Sequence, residues 1–490
     1  MTTTPRPAAG ARPGRRLPLA STGDDLFDEI LGGGIPTESS VMVAGPPGSG
    51  KTVLILQMLF RAARAGQRSL YFTALSEPAL KVIRYMQGFD FFDQALLEQF
   101  IVVSDLGLAI REGPAGTIGE LSRMMETHEP QFVVIDSFRS VIDLMPDHRT
   151  SRSFIYDLAT RSATWSVTSF LLGEYAADDP LQSPEFAVAD GILRLGVRRQ
   201  DLTAVRELEV VKLRGAEYVP GRHFFEIKPA GVFVYPRVRA PYAADSHTTA
   251  TAAPVSTGIK GLDDLFSGGI PGVSTTVVQG ATGSGKTIVG LQFLIEGATR
   301  GEKGILLTLE ETPEQLRALA ATLGWNLPAL EARDLLTIRY ESPVELSTDR
   351  YLQTARDEVR RKGITRVVLD SLTSLSLGVP SERRFQELVY AVSKHMRNCG
   401  ATLLMTVETA QQLGADAVVG GHGVSFMADN LVQLRYADVG GRLERTVSVL
   451  KARGVNHDTA MRLLRIQRGG PVVARTGVTR PVRRRTRTKR

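Results

Sequence analysis

The chain has 490 residues, a formal net charge of +7 and one cysteine, Cys399. A single cysteine excludes an intramolecular disulfide, so the composition does not favour a secreted, disulfide-stabilised fold. Residues 1–16 are rich in Thr, Pro, Ala and Arg but lack the apolar segment of a signal peptide, and no apolar run approaches the roughly 20 residues of a membrane span. We therefore expect a cytoplasmic protein that does not enter a membrane.

The positive charge is concentrated near the C-terminus. The segment 480–490 has no acidic residue and seven cations, which are Arg480, Arg483, Arg484, Arg485, Arg487, Lys489 and Arg490. These seven equal the whole net charge of +7, so the rest of the chain is close to neutral. We therefore do not expect the folded domains to bind nucleic acid. The tail is either a solvated segment or a binding segment for an acidic partner, whether RNA, DNA or a protein.

The pattern G-x-x-x-x-G-K-T occurs twice, at 45–52 and at 280–287. Each copy follows a β-branched run and precedes an apolar helical segment. In such a phosphate-binding loop (P-loop) backbone N–H groups surround an anion at a helix N-terminus, the Lys reaches the β- and γ-phosphates, and the Thr hydroxyl binds Mg²⁺. We therefore predict ATP and Mg²⁺ as ligands. The predicted nucleotide-binding residues are Gly45, Gly48, Ser49, Gly50, Lys51 and Thr52, and Gly280, Thr282, Gly283, Ser284, Gly285, Lys286 and Thr287.

The two P-loops belong to an internal duplication. The sequence Ser-Thr-Gly at 21–23 recurs at 256–258, and Lys-x-Arg-Gly at 212–215 recurs at 451–454. A repeat this long indicates two copied domains rather than a solenoid, whose units run about 20–50 residues. The predicted organisation is a disordered tail at 1–17, domains at 18–239 and 255–470, a linker at 240–254 and a basic disordered tail at 471–490.

Short apolar runs alternate with helical stretches in both repeats. Such alternation predicts a mostly parallel sheet covered on both faces, with ligands at the carboxyl ends of the strands. The predicted strands are 41–44, 69–73, 132–135 and 169–172 in the first repeat and 276–279, 305–309, 366–369 and 401–406 in the second. The predicted helices include 53–65, 118–127, 288–298 and 313–323.

Acidic residues follow several of these strands. Asp136 and Asp370 each close an apolar run, where a carboxylate can hold Mg²⁺ together with Thr52 or Thr287; the alternative is an acid that only precedes a helix cap. Hydrolysis also needs a base for water. Glu310 and Glu311 are candidates in the second repeat. The first repeat has Leu75 and Ser76 there, with Glu77 one position later, so its site is predicted to hydrolyse slowly or to use Glu77 from a displaced backbone.

These motifs together resemble the KaiC family, double-domain ATPases of the RecA/DnaB branch that include a circadian clock protein. The likeness covers roughly 18–470. It implies two tandem RecA-like P-loop NTPase domains of the α/β class, assembled as a homohexameric double ring with ATP between neighbouring subunits. It further implies that the K-x-R-G cations reach the γ-phosphate of the neighbour's nucleotide. The cations at those positions are Lys212, Arg214, Lys451 and Arg453.

Members of this family also phosphorylate themselves in the second ring, on an adjacent Ser-Thr pair before a strand. The corresponding stretch is 423–429, where Ser425 matches the serine and Phe426 replaces the threonine. The resemblance therefore implies a serine/threonine autokinase with one site, whereas an ordered two-site cycle is not supported. The C-terminal tail does not resemble the peptide that binds the clock activator, which argues against timekeeping.

Two other functions are compatible with a P-loop core. A RecA- or DnaB-like DNA-dependent ATPase needs basic loops around a pore, but 174–185 and 409–424 contain no Lys or Arg. An ATP-held scaffold ring with little catalysis would fit the first domain, because Leu75 and Ser76 replace its acidic pair. The expected partners are other copies of the chain and proteins of a signalling pathway.

Overall fold

The computed structural model describes residues 17–74, 78–176, 183–200, 203–241, 253–343, 346–409, 427–439 and 441–477. The chain divides into two compact units between Arg237 and Val238, which we call domain 1 and domain 2. Glu77 and Ser425 lie outside the described residues. Within the described ranges, no helix combines the length and the apolar character needed to cross a membrane.

Domain 1 alternates strands and helices as its hydrophobic pattern predicts. Its strands are β1 Leu19–Ala20, β2 Ile35–Pro36, β3 Ser40–Gly45, β4 Ser69–Thr73, β5 Ile101–Asp105, β6 Phe132–Asp136, β7 Thr168–Glu174, β8 Gly191–Gln200, β9 Thr203–Leu213, β10 Arg222–Lys228 and β11 Gly231–Tyr235. Its helices are α1 Asp25–Ile30, α2 Lys51–Arg64, α3 Ala79–Met86, α4 Gln94–Phe100, α5 Gly107–Arg111, α6 Pro114–His128, α7 Phe138–Asp143, α8 His148–Trp165 and α9 Pro184–Val188.

Domain 2 repeats this order. Its strands are β12 Thr275–Gly280, β13 Gly304–Thr308, β14 Leu336–Tyr340, β15 Arg366–Asp370, β16 Thr402–Glu408, β17 Asn430–Val439, β18 Arg442–Ala452, β19 Arg462–Gln467 and β20 Gly470–Gly477. Its helices are α10 Lys260–Leu265, α11 Lys286–Thr299, α12 Pro313–Thr322, α13 Leu327–Ala332, α14 Thr348–Lys362, α15 Leu372–Leu377 and α16 Glu382–Asn398.

Each domain contains a nine-stranded sheet with the same topology. The order is β11-β10-β9-β8-β3-β7-β6-β4-β5 in domain 1 and β14-β13-β15-β16-β12-β17-β18-β19-β20 in domain 2. The strands from β8 to β5 pair in parallel, and β9, β10 and β11 add an antiparallel extension. The predicted mostly parallel α/β sheet is therefore confirmed in both domains. The sequence pattern did not predict the antiparallel extension.

Apolar side chains cover both faces of each sheet. In domain 1, α2 packs on one face over Val41 and Val43, while Met42 and Ala44 point into a second cluster on the other face. Alternating strand residues enter opposite faces because the side-chain period of a strand is two. A strand buried on both faces cannot shift its register without exposing apolar residues. This packing fixes the central strand β3, whose carboxyl end carries the first P-loop.

Candidate functional site

The first P-loop lies between β3 and α2. Gly50 caps α2 in a left-handed conformation, with φ 100°, and a Cβ atom at this position would approach Ile227 Cδ1 to 2.7 Å. Glycine therefore satisfies both the backbone angle and the available space. Lys51 Nζ donates to the carbonyl oxygens of Gly45 at 2.9 Å and Pro46 at 3.1 Å. Burial lowers the pKa of Lys51, although Glu174 and Asp136 act in the opposite direction.

The second P-loop has the same geometry. Gly285 caps α11 with φ 103°, and Lys286 Nζ donates to Gly280 O at 3.0 Å and Ala281 O at 3.1 Å. In both domains the ammonium group lies along the loop, where a triphosphate can replace the carbonyl oxygens as its partner. The hydroxyls of Ser49 and Ser284 are buried without a hydrogen-bond partner among the described residues. Unpaired buried donors of this kind fit an anionic ligand.

A strand-end carboxylate meets the P-loop threonine in each domain. Thr52 Oγ1 donates to Asp136 Oδ2 at 2.8 Å, and the Tyr71 hydroxyl donates to the same oxygen at 2.5 Å. Such a hydroxyl and carboxylate pair fits Mg²⁺, which binds oxygen ligands and keeps several waters. The contacts of Asp136 therefore fit a metal-binding acid, in addition to its position just before α7.

Domain 2 builds the same pair with a different supporting residue. Thr287 donates to Asp370, and burial raises the pKa of that carboxyl group, partly offset by hydrogen bonds from Thr406 and Thr287. In domain 1 the second donor, Tyr71, lies on β4, which pairs with one side of the aspartate strand β6. In domain 2 the second donor, Thr406, lies on β16, which pairs with the opposite side of the aspartate strand β15. The pairing of threonine with aspartate is shared, but the second donor is specific to each domain.

The two glutamates after β13 have different environments. Glu310 Oε1 accepts hydrogen bonds from the hydroxyls of Ser371 and Ser374, the latter at 2.7 Å. Glu311 Oε2 is buried with no hydrogen-bond partner in the described part of the chain. Burial raises the pKa of Glu311, and the nearby charges of Asp370 and Glu310 raise it further. A carboxylate with one oxygen unpartnered and a raised pKa beside Asp370 suits a general base.

The K-x-R-G cations lie at the opposite end of the sheet from the P-loop of their own domain. Arg214 N donates to Asp190 O at 2.9 Å, and Asp190 N donates to Ser40 O at 2.8 Å. Ser40 begins β3 and Gly45 ends it, so Arg214 and the P-loop are separated by about 17 Å of extended strand. The side chain of Arg214 therefore cannot serve the nucleotide site of its own domain.

Domain 2 repeats this separation. Arg453 N donates to Asp429 O at 3.1 Å, and Asp429 N donates to Thr275 O at 2.9 Å, at the first residue of β12. The lysines are held there as well, because Lys212 Nζ donates to Ala189 O at 2.5 Å and Lys451 Nζ to Ala428 O at 2.6 Å. The arginine side chains are 60% exposed at Arg214 and 66% exposed at Arg453. The guanidinium groups of Arg214 and Arg453 are thus largely exposed to solvent.

Comparison with known proteins gives the family. A family model described as ATPase, KaiC, matches residues 20–239 and again 255–477. The chain belongs to the KaiC ATPase family. The circadian clock oscillator protein KaiC of Rippkaea orientalis is 29% identical over 470 residues, covering 91% of this chain and 87% of that protein. The circadian clock oscillator protein KaiC of Synechococcus elongatus is 28% identical over 462 residues, covering 91% and 87%.

The structure of this KaiC-family chain adds acidic residues that the sequence analysis did not select. Glu174 and Glu408 end β7 and β16 and pair in register with Gly45 and Gly280, the first P-loop residues. Glu408 accepts a hydrogen bond from Thr282 Oγ1. Both glutamates could have been found from the repeat, since each is the last residue of a corresponding strand. However, a single acidic residue at a strand end does not form a sequence motif that would identify it as a site residue.

A second contact clamps the P-loop of domain 2. The Tyr436 hydroxyl and Arg445 Nε both donate to Gly283 O, at 2.7 and 3.0 Å, from the hairpin of β17 and β18. The Arg445 guanidinium also lies 5.5 Å from the centroid of the Tyr436 ring. These contacts tie the antiparallel extension to the second P-loop.

Proposed function

We propose that this KaiC-family ATPase assembles as a homohexameric double ring, in which each ATP binds between a P-loop of one subunit and the K-x-R-G cations of the next. The observation that carries the proposal is the position of Lys212, Arg214, Lys451 and Arg453 at the sheet end remote from their own P-loops. A cation that cannot reach the γ-phosphate in its own domain can reach that of a neighbour. Turnover then depends on assembly.

Each residue of the second site has a chemical task in this proposal. Lys286 and the loop N–H groups hold the β- and γ-phosphates. Thr287 and Asp370 hold Mg²⁺, which when bound neutralises phosphate charge. Glu311 accepts a proton from water as the water oxygen bonds to the γ-phosphorus and the bond to the β–γ bridging oxygen breaks, giving ADP and phosphate. Arg453 of the neighbouring subunit neutralises the charge that develops.

Assembly should depend on nucleotide. Lys51→Ala and Lys286→Ala should each lower ATP affinity and shift particles from hexamer toward monomer, because a ligand that binds only the assembled form stabilises it, by about 2.7 kcal/mol at a hundredfold excess over Kd. The Lys51 change should have the larger effect, since a slowly hydrolysing site retains its ATP. Light scattering with and without ATP measures the shift.

Lys303→Ala is the matched control for the assembly experiment. Lys303 forms an exposed ion pair with Asp334 at 2.7 Å, a type of contact worth about 0–1 kcal/mol. This variant should remain hexameric in ATP. A hexamer of unchanged stability without nucleotide would contradict the proposed role of ATP.

We further propose that domain 2 transfers the γ-phosphoryl group to Ser425. Ser425 is the sole hydroxyl between 423 and 429 in the sequence, and it occupies the position of the serine in the family's phosphorylated pair. Ser425→Ala should abolish incorporation of ³²P from ATP, and Arg453→Ala should lower it by removing the cation supplied by the neighbour. Lys51→Ala should act through assembly alone. Mass spectrometry after incubation with Mg-ATP locates the phosphate, and label on the Thr-rich terminal segments instead would overturn the assignment.

Two alternatives make different predictions in the same assays. A DNA-dependent motor requires salt-sensitive DNA binding that accelerates ATP turnover. A scaffold ring requires ATP-dependent assembly without appreciable turnover or label. Slow turnover that is insensitive to DNA supports the proposal against both. The basic segment at 480–490 is tested separately, by removing it and measuring DNA and RNA binding.

A further inference from the structure

Arg139, Tyr175 and Glu185 form a polar cluster in domain 1, which we call the triad. Glu185 is 1% exposed. Its Oε1 atom accepts a hydrogen bond from the Tyr175 hydroxyl at 2.7 Å and lies 3.6 Å from Arg139 Nη1. The Arg139 guanidinium lies 5.5 Å from the centroid of the Tyr175 ring. A buried carboxylate is costly unless it is paired, and Tyr175 and Arg139 both approach Glu185 through Oε1, while Arg139 also pairs with Asp143 at 2.9 Å.

One end of the triad contacts the first P-loop. Tyr175 N donates to Gly45 O at 3.2 Å, and the same oxygen accepts the hydrogen bond from Lys51 Nζ at 2.9 Å. Arg139 lies on α7, which begins two residues after the metal-binding candidate Asp136. The triad therefore contacts the first P-loop through Tyr175 and includes Arg139 from the helix that follows Asp136.

The other end of the triad contacts the cation proposed to serve the neighbouring subunit. Glu185 lies on α9, and the carbonyl oxygens of Ala187 and Ala189 at the end of this helix accept hydrogen bonds from Lys212 Nζ at 3.3 and 2.5 Å. The next residue, Asp190, pairs with Arg214 at 3.3 Å. The helix α9 and its C-cap residue Ala189 thus carry both the triad carboxylate and the carbonyl groups that hold Lys212.

Domain 2 keeps the backbone contacts without these side chains. In the repeat, Thr373 and Thr409 stand where domain 1 has Arg139 and Tyr175. Thr409 N still donates to Gly280 O at 3.2 Å, and Lys451 Nζ donates to Ala428 O at 2.6 Å. Neither threonine is long enough to form the side-chain contacts of Arg139 and Tyr175, so the described residues of domain 2 repeat the backbone bond to the P-loop without the side-chain cluster.

We propose that Arg139, Tyr175 and Glu185 are positioning residues that set, through α9, the position of Lys212 at the neighbouring subunit's ATP. This inference rests on the proposed ring in which Lys212 acts in trans. Lys51 leaves Gly45 O when it binds phosphate oxygens, and that oxygen is also the anchor of Tyr175. The nucleotide state of one subunit is thereby linked to the cation offered to the next.

Tyr175→Phe tests the link, because it removes the hydroxyl but keeps the ring. The assay uses the full chain with Glu311→Gln, which silences domain 2, so that domain 1 supplies the measured turnover. We expect kcat to fall about 2- to 30-fold, the range for residues that act on a site through others, while KM for ATP stays near its original value. Val234→Ala, a change at an apolar residue of β11 that is 1% exposed and lies in a different core cluster from Tyr175, is the control for lost stability and should leave kcat unchanged at a matched Tm.

Mixed rings distinguish action in trans from action on the subunit's own P-loop. Subunits carrying Tyr175→Phe are assembled with Asp136→Asn subunits, which do not hydrolyse ATP in domain 1 but retain the triad and Lys212. If the triad acts through Lys212, turnover per Tyr175→Phe subunit rises on mixing. Unchanged turnover per Tyr175→Phe subunit would overturn the inference.

Lys212→Ala separates the inference from the proposed function. If Lys212→Ala rings hydrolyse ATP in domain 1 at the original rate, the proposed role of Lys212 in trans fails. If Lys212→Ala is impaired while Tyr175→Phe is not, the role in trans stands and the positioning role of the triad fails. Impairment of both, with recovery of Tyr175→Phe in mixed rings, supports the two together.

Discussion

Glu311→Gln is expected to lower steady-state ATP turnover in domain 2 by about 10²–10⁴-fold, the usual contribution of a general base. Glu311 Oε2 is buried without a hydrogen-bond partner among the described residues, so its hydrogen-bonding capacity is unused and can be directed to a water that enters with the nucleotide. Glutamine keeps the size of the side chain but cannot take a proton. ATP affinity should therefore be unchanged, which equilibrium binding of a labelled nucleotide measures alongside the turnover assay.

The same variant should be more stable than the original protein at neutral pH. Burial, Asp370 and Glu310 raise the pKa of Glu311, so the folded state binds this proton more tightly than the unfolded chain does. Above the folded pKa the ionised carboxylate therefore lowers the free energy of unfolding. The neutral glutamine side chain removes that penalty, and the gain in Tm should shrink as the pH falls below the unfolded pKa, where both forms are neutral. Each kcal/mol relieved raises Tm by about 2–4 °C in a domain of this size.

Glu310→Gln is the matched control for this change. Glu310 Oε1 already accepts hydrogen bonds from Ser371 and Ser374. Replacing Glu310 should therefore disturb the orientation of the loop, and it should reduce turnover less than Glu311→Gln does. Glu77→Gln in domain 1 should likewise cause a smaller loss of total turnover. Losses of equal size from Glu311→Gln and Glu77→Gln would show that both domains use a base after the corresponding strand, contrary to the predicted asymmetry.

The parallel core could be predicted because its signals are local. The apolar run of β3, the glycines of the P-loop and the apolar start of α2 lie within 41–56, and their chemistry dictates strand, loop and helix. The antiparallel extension has no such signal. Strands β8 and β9 mix charged and apolar residues, and the pairing of β8 with β3 depends on contacts between distant segments, as β9 in turn pairs with β8.

The candidate site divides in the same way. Asp136 and Asp370 could be placed near the P-loops because the carboxyl ends of the parallel strands of one sheet meet at the same edge. The donors Tyr71 and Thr406 could not be predicted. Each lies on a strand next to the strand that carries its aspartate, and only the sheet order shows which strands are neighbours. The sequence likewise does not show that Lys212 and Lys451 lie at the far end of the sheet. That position follows from the antiparallel direction of β9 and β18.

Arg453→Ala is expected to reduce turnover in domain 2 by about 10³-fold or more, the effect of removing an arginine supplied to the transition state in trans. Arg453 bonds to Asp429 at 3.5 Å and is 66% exposed, so its loss should cost little stability. The measurement is made with Asp136→Asn in every subunit, which silences domain 1. Arg453→Lys should recover a minor part of the rate, because lysine keeps the charge but loses the planar guanidinium.

Mixing the two inactive variants gives the decisive measurement. Arg453→Ala subunits retain Glu311, and Glu311→Gln subunits retain Arg453, so an interface between them in the correct order contains every catalytic group. Random mixing of equal amounts in a ring of head-to-tail interfaces restores about one quarter of the sites. Turnover should therefore rise from background to about a quarter of the original rate. Absence of recovery, with mixed rings verified by mass, would mean that Arg453 acts within its own subunit or has no part in hydrolysis.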